Sequence, residues 1–133
     1  MSKTVIQTSK NAPPIGPYSQ GIAANGFVFT AGQAGVDPET RKLVPGGIAA
    51  ETRRTLENLK NILEVAGCTL ADVVSTNVYM TNLAEFSTMN QVYGEYFQAD
   101  PPARTTVGVA ALPMGAAVEI TCLAARPSTK VEL

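Results

Sequence analysis

The chain has no histidine and no tryptophan, only two cysteines, and a charged fraction of 16%. Each scarcity closes something off. Without histidine there is no Ser-His-Asp or Cys-His catalysis and no His-ligated metal. Proton chemistry then falls to carboxylates, tyrosine, lysine, hydroxyls, water or the substrate itself. Cys68 and Cys122 lie far apart and neither belongs to a CxxC pair, so neither a zinc site nor a disulfide framework is indicated. Cys122 sits in an apolar run and reads as a small core residue. No stretch approaches the roughly eighteen uninterrupted apolar residues of a membrane-spanning helix. The first fifteen residues carry Lys3, Lys10 and two prolines without a long apolar core, so no secretory signal is expected and a cytoplasmic location is.

Basic charge is sparse too. Ten basic residues against eleven acidic ones give a net charge of −1, and the basic ones are scattered. No run of them could track a phosphate backbone, so nucleic acid is not expected as the main partner. A charged fraction below the usual quarter or so suggests that part of the surface is covered by another subunit. With 133 residues, 45% of them apolar, the chain is expected to form one globular domain over 1–133.

Taken in order, Thr4 to Gln7 is a short strand candidate, and Thr8 to Gln20, with three prolines and Gly16, is loop. Within that loop Gly16-Pro17-Tyr18-Ser19-Gln20 sets a tyrosine just before a strand, as a rigid packing element or as part of a site. Gly21–Ala24, Asn25-Gly26 and Phe27–Ala34 read as a hairpin with a type I′ turn. Its second strand ends in Thr30-Ala31-Gly32-Gln33, where the glycine suggests close approach by another group. After a Pro/Gly-rich loop, Ile48, Ala49, Thr52, Leu56, Leu59, Ile62, Leu63 and Ala66 recur at helical spacing, with Glu51, Arg53, Arg54, Glu57, Lys60 and Glu64 on the other face and Gly67 as the stop.

Val73 to Met80, rich in β-branched residues, is a strand. Asn82 and Glu85 have the spacing of a capping arrangement for a second helix, with apolar Phe86, Met89, Tyr93, Tyr96 and Phe97. Asn90 shares the face of Phe86 and Tyr93. An amide on a buried stripe needs partners, which a loop backbone or a ligand could supply. The runs Ala103–Val109 and Ala117–Ala125 are expected to pair as a hairpin about Pro113-Met114-Gly115.

Two helices and six strands favour an α+β fold, with both helices on one face of a six-stranded mixed sheet. The other face, left bare and apolar, should drive oligomerisation, for which a trimer closed around a barrel-like core is preferred to a dimer. Arg104 and Glu119 are isolated charges on the two expected hairpin strands. Arginine offers a bidentate fork for a carboxylate, and a glutamate can hold or deprotonate a water. A buried ion pair, or two strand-end charges in solvent, fits the same spacing.

Ile15-Gly16-Pro17-Tyr18-Ser19-Gln20-Gly21, Thr30-Ala31-Gly32-Gln33, Asn90-x-x-Tyr93, Pro102-Ala103-Arg104-Thr105 and Glu119 together resemble the RidA (YjgF/YER057c/UK114) family over essentially the whole chain. The resemblance implies a chorismate-mutase-like subunit and a homotrimer with three sites in the clefts between neighbours. It also implies hydrolysis of reactive 2-imino acids, and of the 2-enamino acids that tautomerise to them, to 2-keto acid and ammonia without metal or organic cofactor. Carried over, Arg104 grips the substrate carboxylate and Glu119 positions the attacking water. Tyr18 and Asn90 line the cleft, and the backbone around Gly32 and Thr106 bonds the carbonyl or imine end. Ala31 stands where the family often has serine, and Thr106 where it often has cysteine, so substrate preference stays open. A 2-keto-acid sensor without turnover is the alternative reading. An endoribonuclease or translation inhibitor, as some family members have been labelled, fits the scattered charge poorly.

Overall fold

The structure, a computed structural model, describes residues 2–127. Its strands are β1 (Thr4–Ile6), β2 (Gly21–Ala24), β3 (Phe27–Thr30), β4 (Val73–Met80), β5 (Ala103–Gly108) and β6 (Val118–Ala125); its α-helices are α1 (Gly47–Val65) and α2 (Phe86–Tyr96). They form one six-stranded sheet of order β1-β2-β3-β6-β4-β5. Only β4 and β5 pair in parallel; every other neighbouring pair is antiparallel. This is the mixed α+β sheet that the element order predicts.

The β2–β3 turn holds Asn25 at φ 53° and Gly26 at φ 80°, as a type I′ hairpin requires. Helix α1 ends as expected. Gly67 sits at φ 80°, its N–H donates to the Glu64 carbonyl, and the Cys68 N–H reaches the Leu63 carbonyl. Those two bonds satisfy carbonyls the helix end would otherwise orphan. Leu56, Leu59, Ile62 and Leu63 of α1 are fully buried against Val28, Val78, Val118, Ile120 and Ala124 of the sheet. Cutting Leu59 to alanine in such a core costs about 2–5 kcal/mol. Helix α2 adds Met89 and Tyr93 to the same layer, with the Tyr93 hydroxyl 2.8 Å from Thr76 Oγ1. Both helices therefore cover one face, and the other carries Phe27 and Phe29 at 42% and 46% exposure.

Four expectations are corrected. First, β5 and β6 are not a hairpin. Strand β5 leaves α2 as the second strand of a parallel pair with β4, and β6 inserts between β3 and β4. The physical reason is apolarity. Every second residue of β6 is buried, which suits a central strand, whereas β5 follows two prolines and is largely exposed, which suits an edge. Second, Asn82 caps a single 3-10 turn, Leu83–Glu85, by accepting from the Ala84 N–H; α2 begins one residue later without a side-chain cap. Third, Glu51 is buried, not solvated, and its carboxylate accepts the Ala117 N–H at 2.8 Å. Fourth, Asn90 is exposed. The stripe buried by α2 runs through Met89, Val92 and Tyr93, and the Phe86–Asn90 side lies at its margin.

Candidate functional site

The site residues fall into two groups at separate places. The first group gathers Tyr18, Ala31, Gly32 and Glu119 around a cavity of about 520 Å³. Its geometry begins with a register shift. Phe29 pairs with Leu123, yet Gln33 pairs with Ile120, so the chain fits four steps against three. The extra residue falls at Thr30–Gly32 and makes a β-bulge, the usual device for re-aiming a side chain next to a site. Thr30 Oγ1 accepts the Cys122 N–H at 2.9 Å, repairing the ladder bond that the bulge removes.

At the bulge, the Glu119 side chain crosses directly over Gly32. A Cβ on residue 32 would overlap the Glu119 carboxylate and lie 2.7 Å from its Cδ. The close approach expected at this glycine is therefore real, and the approaching group is the candidate catalytic acid. The Glu119 carboxylate forms no ion pair and no hydrogen bond among the described residues. Burial alone pushes its carboxyl above the usual range. The buried ion pair with Arg104 that the spacing allows is thus not formed within one subunit.

The walls of this cavity are fixed from behind, by residues that sequence reading missed. Gln20, 3% exposed, accepts the Thr8 N–H at 2.7 Å and donates to the Thr8 and Ala12 carbonyls, folding the 8–20 loop onto itself. Asn58 of α1 donates to the Ala34 and Val36 carbonyls, while its own carbonyl accepts from Asn11. One helix position thus holds both walls. An asparagine on the buried face of the helix, beside Leu59 and Ile62, was the available signal. Tyr18 stands half exposed on this wall, its hydroxyl accepting the Ile15 N–H at 3.3 Å.

The second group, Arg104, Thr106 and Asn90, lies at the β5 edge. The Arg104 guanidinium sits 4.7 Å from the Tyr93 ring centroid and 5.5 Å from that of Phe86. Stacking on aromatic faces steadies an arginine without neutralising it, leaving its donors to a ligand. Thr106, two residues along the same strand face, buries a hydroxyl that has no partner. Asn90 lies on the Phe86 and Tyr93 side of α2 by helical spacing.

Register decides how far apart the groups are. Arg104 pairs with Thr76, which pairs with Cys122; Glu119 pairs with Tyr79, which pairs with Val107. Arg104 and Glu119 are therefore two strands and three residues apart, about 14 Å between Cα atoms at standard strand spacings. The odd offset puts them on opposite faces of the sheet. One small molecule cannot touch both within one subunit.

Comparison with known proteins places the chain. The family described as Endoribonuclease L-PSP matches residues 9–126. A RutC family protein of Pyrococcus abyssi is 48% identical over 124 residues, spanning 93% of this chain and 98% of that protein. The 2-iminobutanoate/2-iminopropanoate deaminase of Rattus norvegicus is 43% identical over 122 residues, spanning 92% of this chain and 89% of the relative. Among solved structures, Escherichia coli TdcF with bound serine superposes with a TM-score of 0.89 at 38% identity, covering 93% of this chain and 99% of that one. The likeness bears out the chorismate-mutase-like fold class as well as the motif resemblance. By sequence and by fold, the chain belongs to the Endoribonuclease L-PSP family, the RidA (YjgF) group.

Proposed function

We propose that the protein is a hydrolytic deaminase of 2-imino and 2-enamino acids, such as 2-iminobutanoate and 2-iminopropanoate, giving 2-keto acid and ammonia. The observation that carries this reading is the Glu119 carboxylate, laid over Gly32 in a cavity and left without a partner. A carboxylate so placed can hold a water and take its proton. The rat deaminase relative supports the same reaction class.

The mechanism asks little of the protein. A 2-imino acid is already electrophilic and hydrolyses slowly unaided. Arg104 grips the α-carboxylate, with Asn90, Tyr18 and the Ala31–Gly32 backbone lining the cleft and Thr106 bonding the substrate. Glu119 directs water onto the imine carbon. The water oxygen bonds to carbon and its proton passes through Glu119 to the nitrogen. The remaining hydroxyl proton of this carbinolamine then passes to the nitrogen, again through Glu119, as the C–N bond breaks, so that ammonia leaves and the carbonyl remains. Positioning of this kind can contribute several kcal/mol.

Because Arg104 and Glu119 of one subunit face opposite ways, the complete site takes Arg104 from one subunit and Glu119 with Gly32 from the next. The bare sheet face, with Phe27, Phe29 and Val107 exposed, supplies the apolar surface for such an assembly, and a trimer closed around that face is the arrangement proposed. A threonine dehydratase reaction, followed by 2-keto-acid appearance with and without the protein, tests the activity. Acceleration is expected. No acceleration by the folded, assembled protein would overturn the deaminase reading and leave keto-acid binding to be measured instead.

A further inference from the structure

Among the described residues four non-glycine residues adopt positive φ: Asn25, Arg41, Asp100 and Met114. Asparagine and aspartate tolerate that region because their short polar side chains bond locally; a long arginine or methionine does not gain in this way. The two that lack this excuse, Arg41 at φ 61° and Met114 at φ 64°, come from segments far apart in sequence and line the same cavity as Glu119. Strain of this sort is costly and collects at ligand sites.

The loop holding Arg41 is closed tightly. Its N–H donates to the Asp37 carbonyl, the Asp37 N–H donates to the Lys42 carbonyl, and Val36 bridges Leu43. Asp37 Oδ1 accepts the Glu39 N–H at 2.7 Å. The backbone of residue 41 is thereby fixed at the cavity rim. Among the described residues the Arg41 guanidinium makes no ion pair and no hydrogen bond. It forms no ion pair with Glu119, although both line the same cavity. A cavity of about 520 Å³ is far larger than a four-carbon imino acid fills.

We propose that Arg41 is a second anion anchor, with Met114 as the apolar wall beside it, so that the site prefers 2-imino acids whose side chain ends in a second carboxylate. The inference rests on the deaminase reading for its reaction, but not for its binding. The α-carboxylate goes to Arg104 and the imine carbon to Glu119. The aliphatic stem then lies along the adaptable Met114 thioether and the distal carboxylate meets the Arg41 fork.

The test compares two imines generated in place by oxidation of glutamate and of 2-aminobutyrate, and the two matching keto acids in calorimetry. Wild type, Arg41→Gly and Arg41→Lys are measured; glycine suits φ 61°, so that variant keeps the fold. The expected result is a dicarboxylate preference of about tenfold or more in kcat/KM and in Kd. That preference should be lost in Arg41→Gly and partly kept in Arg41→Lys, since a lone lysine charge lacks the bidentate fork. Preferential binding of the dicarboxylic keto acid, lost in Arg41→Gly, with no turnover of either imine would sink the deaminase reading and uphold the anchor. Turnover of the four-carbon imine with no dicarboxylate preference, or with a preference that Arg41→Gly retains, would overturn the anchor and uphold the deaminase. No turnover of either imine together with no binding of either keto acid would overturn both.

Discussion

The Glu119 end of the molecule and the Arg104 end are built in opposite ways. Around Glu119, a bulge, a glycine, and backbone bonds from Gln20 and Asn58 fix the cavity inside one subunit. Around Arg104 there is an edge strand, two aromatic rings and an orphaned Thr106 hydroxyl. The first is a finished wall with an unpartnered acid; the second is an unfinished edge with an unpartnered base and donor. Each lacks what the other offers. Two half-sites of opposite charge, facing away from each other across one sheet, make sense if copies of the chain complete one another.

The sharpest way to break that comparison is to disable the ends separately and then mix them. Arg104→Ala and Glu119→Gln should each lower kcat/KM about 10²–10³-fold, the scale of losing one oriented charged contact in a transition state. Equal amounts of the two variants, unfolded and reassembled together, should recover about one quarter of wild-type activity, since each shared site then has an even chance of drawing each intact half. No recovery would place both residues in a site within a single subunit and overturn the shared-site arrangement.

Gly32→Ala attacks the finished wall alone. The added Cβ occupies space now held by the Glu119 carboxylate, which must swing away. A displacement of about 1 Å at a catalytic group can cost 10²-fold in rate. The loss should appear in kcat, while binding of a 2-keto acid, gripped at the Arg104 end, changes much less. Equal loss in both would show that the two ends are not separable.

Why one end was easier to read than the other follows from local and non-local chemistry. Helix α1, its Gly67 stop and the Asn25-Gly26 turn are set by residues a few positions apart, so the sequence pattern shows them directly. Gly32 carries its signal on its face, because a strand glycine marks close approach. The strand order does not. Inserting β6 between β3 and β4 is a competition among apolar strands for the centre of the sheet, settled by contacts between residues dozens of positions apart. Placing Arg104 and Glu119 on paired strands was the natural reading of two runs joined by a turn, and it fails for that reason. Asn58 and Gln20 were harder to place as site residues, because a buried amide signals that it has partners but not which ones, and theirs are backbone groups, which every residue has.

The pH dependence sharpens the Glu119 end further. Its carboxyl titrates above the ordinary carboxylate range because burial disfavours the charge. The proposed mechanism uses the base form, so activity should fall as pH drops through this raised value, and Glu119→Gln should remove that limb along with most of the rate. Stability runs the other way. The native state holds this proton to higher pH than the unfolded chain does, so the group's contribution is full below the unfolded value and is lost as pH rises through the folded one. Glu119→Gln should therefore raise Tm at neutral pH, with the gain shrinking as pH falls through the raised value and gone once the ordinary carboxylate value is reached. No gain, or a loss, at neutral pH would mean that the carboxylate is partnered in solution.

The smallest expected effect belongs to the unfinished edge. The Thr106 hydroxyl is buried without a hydrogen bond, and Thr106→Val keeps the shape while removing the unsatisfied oxygen. An orphaned buried polar group costs about 1–3 kcal/mol, so the valine variant should unfold at higher denaturant concentration, by at most about 1 kcal/mol because part of the edge is open to solvent. Activity then separates two roles. If the β5 backbone bonds the substrate, Thr106→Val keeps its kcat/KM and gains stability. If the hydroxyl is held unpaired for the substrate, stability rises while KM rises with it, and the penalty in the empty protein is the counterpart of a contact made only when the site is filled. A variant less stable than wild type would show instead that the hydroxyl finds a partner across the assembled edge, and the orphan would then belong to the interface and not to the substrate.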